Sequence, residues 1–178
     1  LAVTIYEADI TPPTLSFWDM DMNSGQIIVT FDEPVVLSSI LFNYFTLQDA
    51  MTANESTVGI SGLNHTTNLK THSLSLSHAE LYNSDVNTDE VTGEIRDGFG
   101  MIFTLTLTVE DLNDVKLKPL CTYNLQGELN RQREDCYLRY APSAFRDSFD
   151  NFAAGVTDGS ADQVQIYTPD TTKPLLQQ

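Results

Sequence analysis

Asp19-x-Asp21-x-Asn23 sets oxygen donors at the first, third and fifth positions of a calcium loop. The pattern then departs from one. Gly25 comes a residue late, and Thr30 stands where a bidentate acid would close the loop. Alternation along a strand would also put Asp19 and Asp21 on one face without any ion. A second set of acids lies in the terminal segments. Asp9 and Asp170 occupy equivalent places beside what reads as a domain junction, with Asp32 or Glu33 expected within reach. Calcium there would stiffen an array of domains. Calcium is the one ion these residues could take, and no other cofactor is implied. Asp158 to Asp162 is acidic as well, but Gly159 and Ser160 between them read as a turn.

Cys121 and Cys136 fit neither a zinc site nor a redox motif. They flank one polar excursion between strand-like segments, and a disulfide closing it would contribute on the order of 3 kcal/mol. Asn54-Glu55-Ser56 and Asn64-His65-Thr66 are N-glycosylation sequons in a polar stretch. In a secreted protein, Asn54 or Asn64 is expected to carry sugar. His65, His72 and His78 form neither HxH nor HExxH. No GxSxG, no supported Cys–His pair and no phosphate-binding glycine loop occurs. Carboxylates are plentiful, yet nothing selects a glycosidase pair. No catalytic residue is expected.

The net charge of −16, from 25 acidic against 9 basic residues, argues against nucleic acid and anionic lipid as partners, since phosphate needs a basic face. It describes first of all a solvated anionic surface that repels its copies. No apolar run is long enough to enter a membrane as a helix. Leu1 is not an initiator methionine, so the native ends are expected elsewhere.

Short alternating segments must position these residues. Leu15 to Met22, with Trp18, Met20 and Met22 on one face, and Gln26 to Phe31, with Ile27, Val29 and Phe31 inward, read as a hairpin across Asn23-Ser24-Gly25. Pro34 is expected to end the second strand. Further strands are expected over Phe42 to Leu47, Val58 to Ile60, Ser73 to Ser77, Ile102 to Val109, Cys136 to Tyr140 and Gln163 to Tyr167. Glu110 to Lys118 has the helical pattern, stopped by Pro119. Ala144 to Asn151 reads as a helical turn or loop carrying Phe145 and Phe149 inward. The predicted core is Trp18, Met20, Ile27, Val29, Phe31, Phe45, Leu105, Leu107, Leu138 and Ile166. Many short strands and one short helix predict an all-β sandwich.

The two ends of the chain repeat one another. Val3-Thr4-Ile5-Tyr6 through Leu15 aligns with Val164-Gln165-Ile166-Tyr167 through Leu176, a constant offset of 161 residues from Val3 to Val164. Val, Ile, Tyr, Asp, Thr, Pro and Leu recur in both. Such self-similarity marks a tandem array. Residues 1–8 then read as the end of a preceding repeat, 9–168 as one repeat, and 169–178 as a linker and the start of the next. Pro12-Pro13 and Pro169 with Pro174 restrict the two linkers.

Several pieces resemble a known family. Phe31-Asp32-Glu33-Pro34-Val35 resembles the strand end of bacterial Ig-like domains of the S-layer type. Asp19 to Gly25 resembles the first hairpin of long Ig-like repeat proteins of algae and other protists. Asp111-Leu112-Asn113-Asp114-Val115-Lys116 is similar to their helix, Ala144 to Asn151 to a later segment of theirs, with Arg146-Asp147 in place and Asn151 later than in the family, and Tyr167 to Pro174 to their linker. Asn83 to Gly100 and Cys121 to Cys136 read as insertions. The resemblance implies an Ig-like sandwich in a secreted or cell-surface protein of many repeats, with no catalytic residues. Three functions compete. The first is a structural repeat of an extracellular filament or appendage, such as a flagellar hair or surface fibre, whose partners are neighbouring repeats and other copies. The second is an adhesin or glycan-binding module, favoured if Tyr82, Phe99 or Tyr123 is exposed. The third is an accessory repeat of a secreted hydrolase.

Overall fold

A computed structural model of the chain describes residues 7–48, 50–52, 71–73, 78–81, 98–117, 120–121 and 136–172. Its elements, in chain order, are β1 (Leu15–Asp21), β2 (Gln26–Val36), β3 (Phe45–Gln48), β4 (Thr71–Ser73), β5 (His78–Leu81), β6 (Phe99–Thr106), α1 (Val109–Leu117), β7 (Tyr137–Tyr140), β8 (Asp162–Gln163) and β9 (Tyr167–Thr168). One sheet runs β5-β6-β2-β1-β9 and the other β4-β3-β7-β8. All pairings are antiparallel except β1 with β9, which run in the same direction.

The β1–β2 hairpin follows from its alternation. Trp18, Met20, Ile27, Val29 and Phe31 are buried, and Trp18 lies opposite Val29 and Met20 opposite Ile27. Gly25 turns the hairpin at φ +68°, where Asp21 C=O accepts its N–H at 2.9 Å. A Cβ at Gly25 would also come within 3.1 Å of Leu112 Cδ2, so both backbone sign and space call for glycine. Pro34 does not end β2. The strand continues to Val36 through an irregularity between Thr30 and Val35, where its pairing with β6 is interrupted. A missing N–H there costs no ladder bond, which is where a sheet tolerates proline.

The two layers meet face to face in a sandwich-like arrangement around one core. Sheet one contributes Trp18, Phe31, Phe103 and Leu105, and sheet two contributes Phe45, Leu47, Leu138 and Tyr140. Phe145 joins them. Its ring lies 4.5 Å from Phe31 on one side, and 4.9 Å from Tyr140 and 6.2 Å from Phe45 on the other. Trp18 Nε1–H donates to Asp162 C=O at 2.8 Å, satisfying the one polar atom of a fully buried indole. Helix α1 opens on Thr108, whose hydroxyl accepts the Asp111 N–H at 3.0 Å, as an N-cap should. Val115 is its buried contact with the core.

Nine of the predicted core residues are buried, and Ile166, at 56 % exposed, is not. The expected last strand is divided: β8 belongs to sheet two and β9 to sheet one. Val164 takes the buried place, and Ile166 sits in the crossing between sheets, its N–H held by Asp19 Oδ1 at 2.9 Å. Val109 begins the helix instead of ending β6 and is 71 % exposed. Ala144 to Asn151 is a loop with isolated bridges, not a helical turn. It carries Phe145 inward but leaves Phe149 54 % exposed. Residues 42–44 form a 3-10 turn before β3. The backbone of β4 covers 71–73, and the remainder of the strand expected to Ser77 lies outside the described residues, as does Val58 to Ile60.

Candidate functional site

Of the segments that repeat in sequence, residues 7–14 and 169–172 lie at opposite ends of the β1–β2 hairpin. At the N-terminal pole, the incoming segment docks on the open end of the hairpin. Thr14 donates from its N–H and its hydroxyl to the two oxygens of Asp32, each at 2.7 Å, and Thr14 C=O accepts the Asp32 N–H at 3.1 Å. Pro13 is buried while Pro12 is exposed. Asp9 C=O accepts from Asn151 Nδ2 at 3.1 Å.

These contacts bring Asp9 to Glu33 and Asp147, with one oxygen of each carboxylate within 4.8 Å of the others. The three are unlike in environment. Asp147 is buried in its own loop, where Oδ1 accepts the N–H groups of Phe149 and Asn151, both at 2.8 Å, and Oδ2 accepts Asn151 Nδ2 at 2.8 Å. Burial pushes its pKa up, but these bonds and the nearby Arg146 outweigh it, so the carboxyl is held below its ordinary value. Arg146 itself pairs with Asp150. Glu33 moves the other way. Burial first, then the charges of Asp9, Asp147 and Asp32, raise its pKa, and its Oε1 is buried with no hydrogen-bond partner among the described residues. Glu33 approaches Asp9 as expected, whereas Asp32 is taken up by Thr14. The sequence signal for the buried member is the spacing Asp147-x-x-x-Asn151, whose side chains and backbone bond one another.

At the C-terminal pole the outgoing segment is tied to the hairpin turn. Asn23 Nδ2 donates to Pro169 C=O at 2.8 Å, and Asn23 Oδ1 accepts the Thr171 N–H at 2.8 Å. Asp170 Oδ2 pairs with Lys116 Nζ of α1 at 2.7 Å, and its Oδ1 accepts the Thr172 N–H at 2.8 Å. The Lys116 contact leads the effects that hold the Asp170 carboxyl below its ordinary value.

The remaining calcium candidates are engaged by backbone. Asp21 Oδ1 accepts the N–H groups of Asn23 at 2.8 Å and Ser24 at 3.3 Å, Asp19 holds Ile166, and Asn23 holds Thr171. The structure places Asp19, Asp21 and Asn23 around a turn, and separates Asp9 from Asp170. Among the described residues, the metal-type cluster is Asp9, Glu33 and Asp147. Carboxylates at such spacing can hold a hard cation or accept an ammonium group.

Cys121 and Cys136 form a disulfide, with Cα atoms 4.4 Å apart, and Tyr167 O–H donates to Cys121 C=O. Asn54, Asn64, Pro174, Tyr82 and Tyr123 lie outside the described residues. Phe99 and Met101 are exposed on β6. Among the described residues no helix is long and apolar enough to cross a membrane. Comparison with protein-family models, with curated protein sequences and with solved structures finds no match.

Proposed function

We propose that the chain is an Ig-like structural repeat of an extracellular filament or cell-surface appendage, working through contacts between successive domains and between copies. One observation carries this reading. Asp9 and Asp170, 161 residues apart in sequence, fold the same turn: each carboxylate accepts the N–H of a threonine two residues on, Thr11 at 3.0 Å and Thr172 at 2.8 Å. Sequence self-similarity is thereby joined by like local structure, and each copy is pinned to the body of the domain. A linker pinned at both ends gives a nearly fixed interdomain angle, and a fixed angle repeated makes a rod or superhelix. The disulfide supports an oxidising, extracellular setting. Electron microscopy of the native protein tests the proposal. Elongated, regular particles are expected. Freely jointed beads, or a compact monomer with a catalytic pocket, would overturn it.

A second reading, an adhesin or glycan-binding module, is favoured by the exposure of Phe99 and Met101, an apolar pair on a sheet face. Binding on a glycan array that Phe99→Ala abolishes would put this reading first.

A further inference from the structure

The two poles, each incomplete alone, complete one another across a repeat boundary. In an array the aspartate numbered 170 in one repeat is also the aspartate numbered 9 of the next. Each copy shows half of its surroundings. The N-terminal copy meets Glu33 and Asp147, and the C-terminal copy meets Lys116 at 2.7 Å. In both copies Oδ1 is occupied by the threonine N–H, and in the C-terminal copy Oδ2 takes the lysine. Because the two aspartates are one position of the repeat, the carboxylate that Lys116 pairs with in one domain is the carboxylate that meets Glu33 and Asp147 in the following one.

From this equivalence, and resting on the repeat reading above, we propose a lysine-bridged joint between neighbouring repeats. The linker aspartate is clasped between Lys116 of the repeat before it and Glu33 and Asp147 of the repeat after it. The partner is therefore a second copy of this domain in the same chain. Three further features fit that partner. Among the described residues Glu33 Oε1 is buried without a hydrogen-bond partner beside the other two carboxylates, and the cation near them, Arg146, is paired with Asp150, so the neighbour's lysine adds a cation to the cluster. The same N-terminal pole leaves Ile10 and Phe152 81 % and 53 % exposed, each next in sequence to a residue that binds across the pole, Asp9 and Asn151. The neighbour's α1 presents Val109 two turns from Lys116 on the same helix face, an apolar group to set against them.

Asn23 extends the clasp. Its Oδ1 accepts the Thr171 N–H, and position 171 is position 10 of the next repeat. The hairpin turn of one domain thus holds the backbone beside the aspartate while the following domain holds the aspartate carbonyl through Asn151. The two contacts use different atoms of the segment.

The test is a fusion of two copies of the whole chain, joined so that Asp170 of the first serves as Asp9 of the second. One spin label is placed on each copy through a non-natural amino acid, leaving Cys121 and Cys136 paired. A narrow interlabel distance distribution is expected. Lys116→Met in the first copy should lose the narrow component, and Lys116→Arg there should keep it. Lys116→Met in the second copy, which follows the boundary, should leave the distribution unchanged and so shows that the substitution does not unfold the domain. A broad distribution in the unmodified fusion overturns the joint. So does a narrow one insensitive to Lys116 of the first copy. A distribution that narrows only when calcium is added, with or without that lysine, overturns the lysine bridge in favour of a bound cation. None of these outcomes decides whether the native protein forms filaments, which electron microscopy of that protein settles separately.

Discussion

The two sheets are held by different means. Sheet one is built on long ladders: β2 runs for 11 residues and pairs on one side with β1 and on the other with β6. Sheet two is built on short ones. β3 and β7 have four residues each, and β8 has two. What it lacks in ladder it gains from ties outside the ladder. Cys136 stands directly before β7, bonded to Cys121 beyond α1, and Cys136 C=O accepts the Val164 N–H at 2.9 Å. Tyr140 at the end of β7 uses its hydroxyl to accept the Leu15 N–H of sheet one at 3.3 Å. Among the described residues, the short ladders of this layer are thus supplemented by a covalent bond and by a side chain that reaches across the core.

Breaking the ring that serves both layers should have the largest effect. Phe145→Ala removes contacts with Phe31 on one sheet and Phe45 and Tyr140 on the other, and is expected to cost about 3–5 kcal/mol. Urea unfolding followed by two probes, Trp18 fluorescence for sheet one and exchange of β7 amides for sheet two, should show the transitions separating. Coincident transitions would mean that the layers are coupled elsewhere.

Next comes the disulfide. It closes a loop of 15 residues' separation, so Cys121→Ser with Cys136→Ser is expected to lower stability by about 3 kcal/mol. The difference between the sheets sharpens this. Hydrogen exchange in the reduced or double-serine protein should accelerate first at β7 and β8, with β1 and β2 protected longest. Uniform acceleration would show that the bond acts on the whole domain. Mass measurement after alkylation, with and without reductant, verifies the bond itself.

Smaller effects are expected at the N-terminal pole. Asp147→Asn puts an amide where three donated bonds converge and should cost about 1–3 kcal/mol at neutral pH. Because the Asp147 carboxyl is held below its ordinary value, its contribution is present above that value and is lost as pH falls through the lowered one. The gap between mutant and parent should therefore close in acid. Glu33→Gln should do the reverse in the single domain. The raised Glu33 pKa means that its charged form opposes folding, so the parent loses stability as pH rises from the ordinary value to the raised one. The glutamine variant is expected to be slightly more stable at neutral pH, and equal to the parent in acid. Urea midpoints over about pH 3 to 7 read both signs.

The same contrast explains what could be read from the residues. Sheet one was legible because alternation over a long strand names its buried face: Trp18, Met20, Ile27, Val29 and Phe31 leave one register. β8 and β9 were not, since two-residue strands carry no period. Their division depends on where Trp18 C=O and Asp19 Oδ1 catch the crossing backbone at Gln165 and Ile166. Pro34 misled because its penalty depends on whether a partner awaits its N–H, which only the irregular pairing with β6 decides. At the candidate joint, the sequence sets Asp32 or Glu33 near Asp9, whereas Asp147 lies far on in the chain, in a loop whose inward ring is readable and whose inward carboxylate is not. Phe149 faces outward for the same reason: the turn that closes on Asp147 points it away from the core.

The parallel pairing of β1 with β9 bears on how the domain would carry tension. The chain comes in at the start of β1 and leaves from the end of β9, and the two strands lie side by side with Met20 against Tyr167 and Asp21 against Thr168. A pull on the segments before β1 and after β9 drags these strands in opposite directions along their length. The bonds Gln165 N–H to Trp18 C=O, Met20 N–H to Ile166 C=O and Met22 N–H to Thr168 C=O are then loaded together, not peeled one after another. We expect single-molecule stretching of the fused copies to show a high, sharp rupture force. Cutting the strand short after Gln165 should reduce it to the gradual yield of a strand unzipped from its end, and an unchanged force would place the mechanical clamp elsewhere.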